Sequence, residues 1–154
     1  MRTHSINLKT LVLTAALLAV CPPQGRAQEK SPSDQNVAIA ASLSRDTLAR
    51  GAGAEVIFTV RPKKGFHVNA VPPLGVAFDS TAPATKGQKI VIPTDTSTGY
   101  LKPSLPVRQP FTLAATAPKG RTELKGVLTY YYCSDAEGWC RKETLRFSIP
   151  ITVR

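Results

Sequence analysis

The closing run TLRFSIPITVR, residues 144–154, leaves a folding chain few options. Leu145, Phe147, Ile149, Ile151 and Val153 alternate with Arg146, Ser148, Pro150, Thr152 and Arg154. Successive side chains of an extended strand point to opposite faces, so this period of two buries one face and wets the other. A helix would spread the same apolar residues around its circumference. Pro150 has no amide hydrogen to donate, so the strand is expected at a sheet edge or bulged there.

Shorter runs repeat the pattern upstream. NVAIAASLS (36–44), AEVIFTVRP (54–62), KIVIPT (89–94), QPFTLAATA (109–117) and TELKGVLTYYYC (122–133) all read as strands, and KKGFHVNAV (63–71) opens with a turn and becomes extended. Turn formers separate them: Arg50-Gly51, Pro62 to Gly65, Pro72-Pro73, Pro83, Ser97 to Gly99 and Pro118 to Gly120. Residues 94–108 read as a long loop or a broken strand, and long loops on a strand scaffold are often functional. No helical period persists beyond the amino-terminal region. About seven short strands with frequent turns predict an all-β fold, an antiparallel sandwich of immunoglobulin-like type, in one domain over 36–154.

The amino-terminal region reads differently. Arg2, His4 and Lys9 precede an apolar run, Leu11–Val20, and Gly25-Arg26-Ala27 offers small residues where a signal peptidase reads them. Residues 1–27 are therefore expected to be a removed signal peptide, and the polar residues 28–35 a flexible leader. Cys21 after LAV offers a competing lipoprotein reading, with Val20 a poor residue just before a lipidated cysteine. The apolar run is too short to span a bilayer as a helix, and no later stretch could do so. The expected location is the periplasm or the exterior, where disulfides persist.

The net charge is +10. With Arg2, Lys9 and Arg26 removed, 17 basic residues face 10 acidic ones, about +7. These charges are scattered and form no run or stripe, so a nucleic-acid partner is not expected.

If cleavage follows Ala27, the mature chain holds two cysteines, Cys133 and Cys140, in YYYCSDAEGWCRKE (130–143). They flank a hairpin loop containing Asp135 and Gly138. Facing residues of an antiparallel pair lie roughly 4.5–5.5 Å apart at Cα, within disulfide range. Three uses remain open: a structural staple, a redox pair, or a metal site. Closing a loop of about eight residues stabilises by roughly 2.5 kcal/mol. That is modest beside a sandwich core, which favours chemistry. Zinc would need a third ligand such as His67, and the six-residue spacer exceeds the usual two to four. Arg141 and Lys142 favour a thiolate at Cys140, whereas Asp135 and Glu137 oppose it; Arg141 and Lys142 cannot both face the sulfur from one strand. Aromatics near the pair, Tyr132 and Trp139 among them, could shield it or could belong to the core.

The pattern aromatic-aromatic-Cys-x-Asp-x-x-Gly-aromatic-Cys, a charged residue and a terminal alternating strand resembles the amino-terminal domain of the thiol:disulfide interchange protein DsbD, the disulfide bond corrector family. Residues 126–153 carry the likeness, and KKGFHVNAVPP (63–73) adds to it. The resemblance implies an immunoglobulin-like periplasmic domain that relays electrons through mixed disulfides and needs no cofactor. It implies that Cys133 and Cys140 are the redox pair; the basic neighbours Arg141 and Lys142 make Cys140 the expected sulfur that meets partners, with Cys133 resolving. It places Phe66, His67 and Asn69 near them. Tyr100 is the nearest counterpart of the family's cap over the cysteines. The spacer has six residues where the best-known member has five. The membrane and thioredoxin-like parts of a full-length DsbD have no counterpart here, so the expected partner is a separate thioredoxin-like or membrane-embedded thiol-disulfide oxidoreductase. The rival expectations are a binding module anchored by Trp139 at the hairpin tip, and a structural domain with an inert bridge.

Overall fold

The computed structural model describes residues 36–86 and 89–154; the expected signal peptide, the leader and Cys21 lie outside them. Within these bounds the chain is all-β. Its strands are β1 (Val37–Leu43), β2 (Thr47–Leu48), β3 (Gly53–Pro62), β4 (Phe66–Val68), β5 (Gly75–Phe78), β6 (Ala84–Lys86), β7 (Val107–Leu113), β8 (Gly120–Ser134) and β9 (Cys140–Val153). One sheet has the order β1-β3-β7-β6; the other runs β2-β9-β8-β4, with β5 also paired to β8. All pairings are antiparallel except β2 with β9. Among the described residues no helix is long and apolar enough to cross a membrane.

Both sheets feed one core. Val56, Phe58 and Val60 of β3 and Phe111 of β7 are buried with Leu124, Leu128, Tyr130 and Tyr132 of β8 and Phe147 of β9. Phe58 meets Phe147 edge-on at 5.4 Å, and Phe78 meets Phe111 at 5.9 Å, so aromatic rings join the two layers. Each side chain of this kind stabilises the fold by roughly 1.5–3 kcal/mol when removed from water.

The alternation at 144–154 comes out as read, with Leu145, Phe147, Ile151 and Val153 buried. Pro150 faces Glu123 in an unbroken register, so there is no bulge. The described strand β2 covers β9 only at Thr152 and Val153, which makes β9 an edge beside Pro150. The expected strand over 89–94 does not form. Val91 and Thr94 make single bridges to Arg108 and Leu101, because Pro93 lacks an amide donor and interrupts a ladder. Residues 93–102 instead make a small hairpin, closed by Lys102 N–H donating to the Pro93 carbonyl (2.8 Å) and Asp95 N–H to that of Tyr100 (2.8 Å). Strands β2, β5 and β6 were too short to register as alternation.

Candidate functional site: a disulfide on the outer face of a sheet

Strands β8 and β9 pair without a break from Gly120–Val153 to Cys133–Cys140, so the cysteines face one another at the last rung. Their sulfurs are bonded and their Cα atoms are 4.0 Å apart, closer than the expected range. Parity then places the bond. Leu124, Leu128, Tyr130 and Tyr132 point into the core from β8, so Cys133, at odd parity, points the other way. Cys140 likewise shares its face with Thr144 and Arg146, opposite Leu145 and Phe147. The disulfide therefore lies on the outer face of its sheet and joins neighbouring strands; it does not tie the two sheets together.

Its two sulfurs have different surroundings. Cys133 is 4% exposed, whereas Cys140 is exposed. Strand β4 covers Cys133. It pairs with β8 so that Phe66, His67 and Val68 oppose Ser134, Cys133 and Tyr132. One residue on, Asn69 N–H donates to the Tyr131 carbonyl (2.9 Å), and the Asn69 amide Nδ2 donates to Cys133 Sγ at 3.2 Å. An N–H aimed at a sulfur favours its thiolate form.

A further layer lies beyond β4. The 93–102 hairpin joins the sheet edge through Leu101 N–H to the Val68 carbonyl (2.8 Å) and Ala70 N–H to that of Gly99 (3.3 Å). Gly99 makes the turn at φ 74°, in the left-handed region that glycine enters freely. Asp95 fixes the turn by accepting from the Ser97 amide (2.9 Å) and hydroxyl (2.5 Å), and these hydrogen bonds hold its carboxyl below the ordinary value. The result delivers Tyr100 onto His67, with ring centroids 3.7 Å apart and planes 15° from parallel. His67 Nδ1 lies 2.5 Å from Asp135 Oδ1 of the hairpin loop. An open groove of about 560 Å³ runs alongside, lined by Phe66, His67, Asp95, Tyr100, Leu101 and Lys102 among others.

Phe66 and Trp139 take the core side of the same rim. Trp139 packs 6.0 Å from Phe66 and edge-on to Tyr132 at 5.6 Å, and Arg141 lies 4.5 Å over its ring. Its indole N–H bonds to the Glu137 carboxylate. Trp139 is thus half-buried at the base of the loop and not at its tip, which corrects the expectation of an exposed anchor. Arg141 and Lys142 do point to opposite sides, and Lys142 is the one that shares the face of Cys140. Both acids expected to oppose a thiolate have partners, Asp135 in His67 and Glu137 in Trp139.

No model of a protein family matches the chain, and no curated protein does. All nine candidates from the sequence gather at one end of the molecule. Cys133, Cys140, His67, Asn69 and Tyr100 are on the outer side of the sheet, Phe66, Tyr132 and Trp139 are on the core side, and Asp135 is in the loop between. The pairing of Asp135 with His67 was not legible in the sequence, since the two are 68 residues apart. Among the described residues no group of three or more His, Cys, Asp or Glu side chains could hold a metal.

Proposed function

We propose that the chain is an exported thiol-disulfide exchange domain of immunoglobulin-like fold, working through Cys133 and Cys140. One observation carries the reading: the bond lies on an outer sheet face and joins an exposed cysteine, Cys140, to a buried one, Cys133, whose sulfur accepts from an amide donor. A partner thiolate attacks Cys140 Sγ, the sulfur–sulfur bond breaks, and its electron pair leaves on Cys133 Sγ. The partner's second thiolate then attacks the partner sulfur of the mixed disulfide and releases Cys140. Two electrons pass to this domain, and the partner ends as a disulfide. The reverse sequence reduces an oxidised partner. No cofactor enters, because the thiols carry the electrons.

The resemblance to the DsbD amino-terminal domain supports the same reading, as does the signal-like opening of the sequence. A thioredoxin-like or membrane-embedded oxidoreductase would supply the partner dithiol. The competing reading is a structural bridge, favoured by the burial of Cys133.

Two measurements separate them. The first is the potential of the pair in graded thiol-disulfide buffers. A value of roughly −180 to −270 mV fits exchange, and one below about −300 mV fits a structural bridge. The second is trapping with a small aromatic disulfide. Cys133→Ser, which keeps the exposed cysteine, should form the mixed disulfide quickly, and Cys140→Ser slowly. Equal and slow trapping would remove the exchange reading.

A further inference from the structure

His67 stands directly opposite Cys133 across the β4–β8 pair, and directly opposed side chains share a face with Cβ atoms roughly 4.5–5.5 Å apart. Its imidazole is held on two sides. Asp135 binds Nδ1 at 2.5 Å, and Tyr100 stacks on the ring face at 3.7 Å. The side chain is 17% exposed, whereas the Asp135 side chain is 56% exposed. A histidine kept only for packing needs no carboxylate on one nitrogen. A carboxylate on Nδ1 fixes the ring orientation and leaves Nε2 as the working nitrogen.

We propose that His67 is the proton carrier for Cys133, with Asp135 and Tyr100 as its positioning residues. The assignment rests on the exchange reading above and gives one residue of that site a task. When Cys140 is attacked, the departing electron pair would make a thiolate of Cys133, a residue that is 4% exposed, and burial disfavours that charge. Asn69 steadies the charge by its N–H but holds no proton to give. The protonated imidazole transfers one to Cys133 Sγ, leaving a neutral thiol and a neutral histidine that recovers its proton from water. In the opposite direction Cys140 first forms the mixed disulfide with an oxidised partner. The neutral imidazole then takes the Cys133 proton, and the thiolate attacks Cys140 Sγ and expels the reduced partner.

The other ionisable groups near His67 are Cys133 and, two residues before it on the same face of β8, Tyr131, with Tyr100 on the ring and Asp95 and Lys102 along the groove. Hydrogen bonds from Ser97 hold the Asp95 carboxyl below its ordinary value, so it stays charged across the pH range of the test below.

The test follows reduction of the purified protein by dithiothreitol from pH 5 to 9, with rates corrected for the reagent's thiolate fraction. Trp139, the single tryptophan, precedes Cys140 and reports the reaction by fluorescence. His67→Gln should slow reduction by roughly 10- to 100-fold on the acid side and flatten the corrected profile. The loss sits at or below the usual range for proton transfer because a thiolate can leave unaided. Asp135→Asn, in an exposed loop, should keep the melting temperature and lose several-fold in rate. If both variants follow the wild-type profile while the wild type reduces readily, the histidine assignment is wrong and the exchange reading stands. If the wild-type bond resists dithiothreitol altogether, both fall.

Discussion

Reduction of the Cys133–Cys140 bond removes a crosslink between two strands that pair along their whole length. The unfolded chain gains the freedom of a loop of about eight residues, roughly 8 cal/mol/K or about 2.5 kcal/mol at 25 °C. The folded side loses little, since backbone bonds hold the same register up to the last rung and the bond lies outside the core. Domains of this size are stable by about 5–15 kcal/mol, so the reduced protein should remain folded. The expected fall in melting temperature is roughly 8–15 °C. Urea unfolding with and without reductant, and of the double variant Cys133→Ser/Cys140→Ser, measures the difference. The slope should change little, because so short a loop compacts little of the unfolded chain. A relay domain must survive its own reduced state. Loss of cooperative unfolding on reduction, or a deficit above about 4 kcal/mol, would refute the reasoning and mark the bond as a necessary staple.

Gly126→Ala should destabilise by about 1–3 kcal/mol in thermal or urea melts. The new methyl would lie 2.5 Å from the Ala77 carbonyl oxygen and 2.7 Å from Phe147 Cζ, and the Ala77 backbone cannot yield without loosening β5 from β8. An unchanged midpoint would show that β5 is not held as described. Trp139→Ala should cost about 1–2 kcal/mol, less than a fully buried tryptophan, through lost contact with Phe66, Tyr132 and Arg141. A loss as large as that of a core aromatic would contradict its half-buried position. The lowered Asp95 carboxyl contributes stability above its unfolded value and loses it as pH falls through the folded one. Asp95→Asn should therefore show a shallower decline in melting temperature below about pH 4 than the wild type, and parallel curves would argue against the Ser97 contacts.

The long strands were legible in the sequence for a physical reason. Strands β3, β8 and β9 each bury one face over many residues, so the period of two repeats often enough to stand out. Strands β2, β5 and β6 run for two, four and three residues and offer no period to count. KIVIPT misled for the converse reason. Its composition suits a strand, yet the chain there makes only single bridges, and β-propensity measures fit to a neighbour more than a backbone preference.

The site divides along the same line. Cys133 facing Cys140 followed from hairpin symmetry, a local property of the chain. Which sulfur is covered did not, because the cover comes from β4 and from a hairpin that reaches β4 only through tertiary contact. One register fixes every element of that cover. With His67 opposite Cys133, Asn69 follows opposite Tyr131 and can turn its amide to the sulfur. Tyr100 bridges Asn69 from the far side and comes to lie on the imidazole. A slip of one residue in β4 would send His67 to the core and Phe66 to the disulfide. What fixes the register is the apolar side of the strand: Val68 is fully buried, and Phe66 packs against Tyr132 and Trp139. The aromatic cluster inside the rim thus sets the polar chemistry outside it. Enlarging that cluster's space by Phe66→Ala should accordingly disturb reactivity at Cys133, through its covering residues, more than at Cys140, which rests on the β8–β9 pair alone.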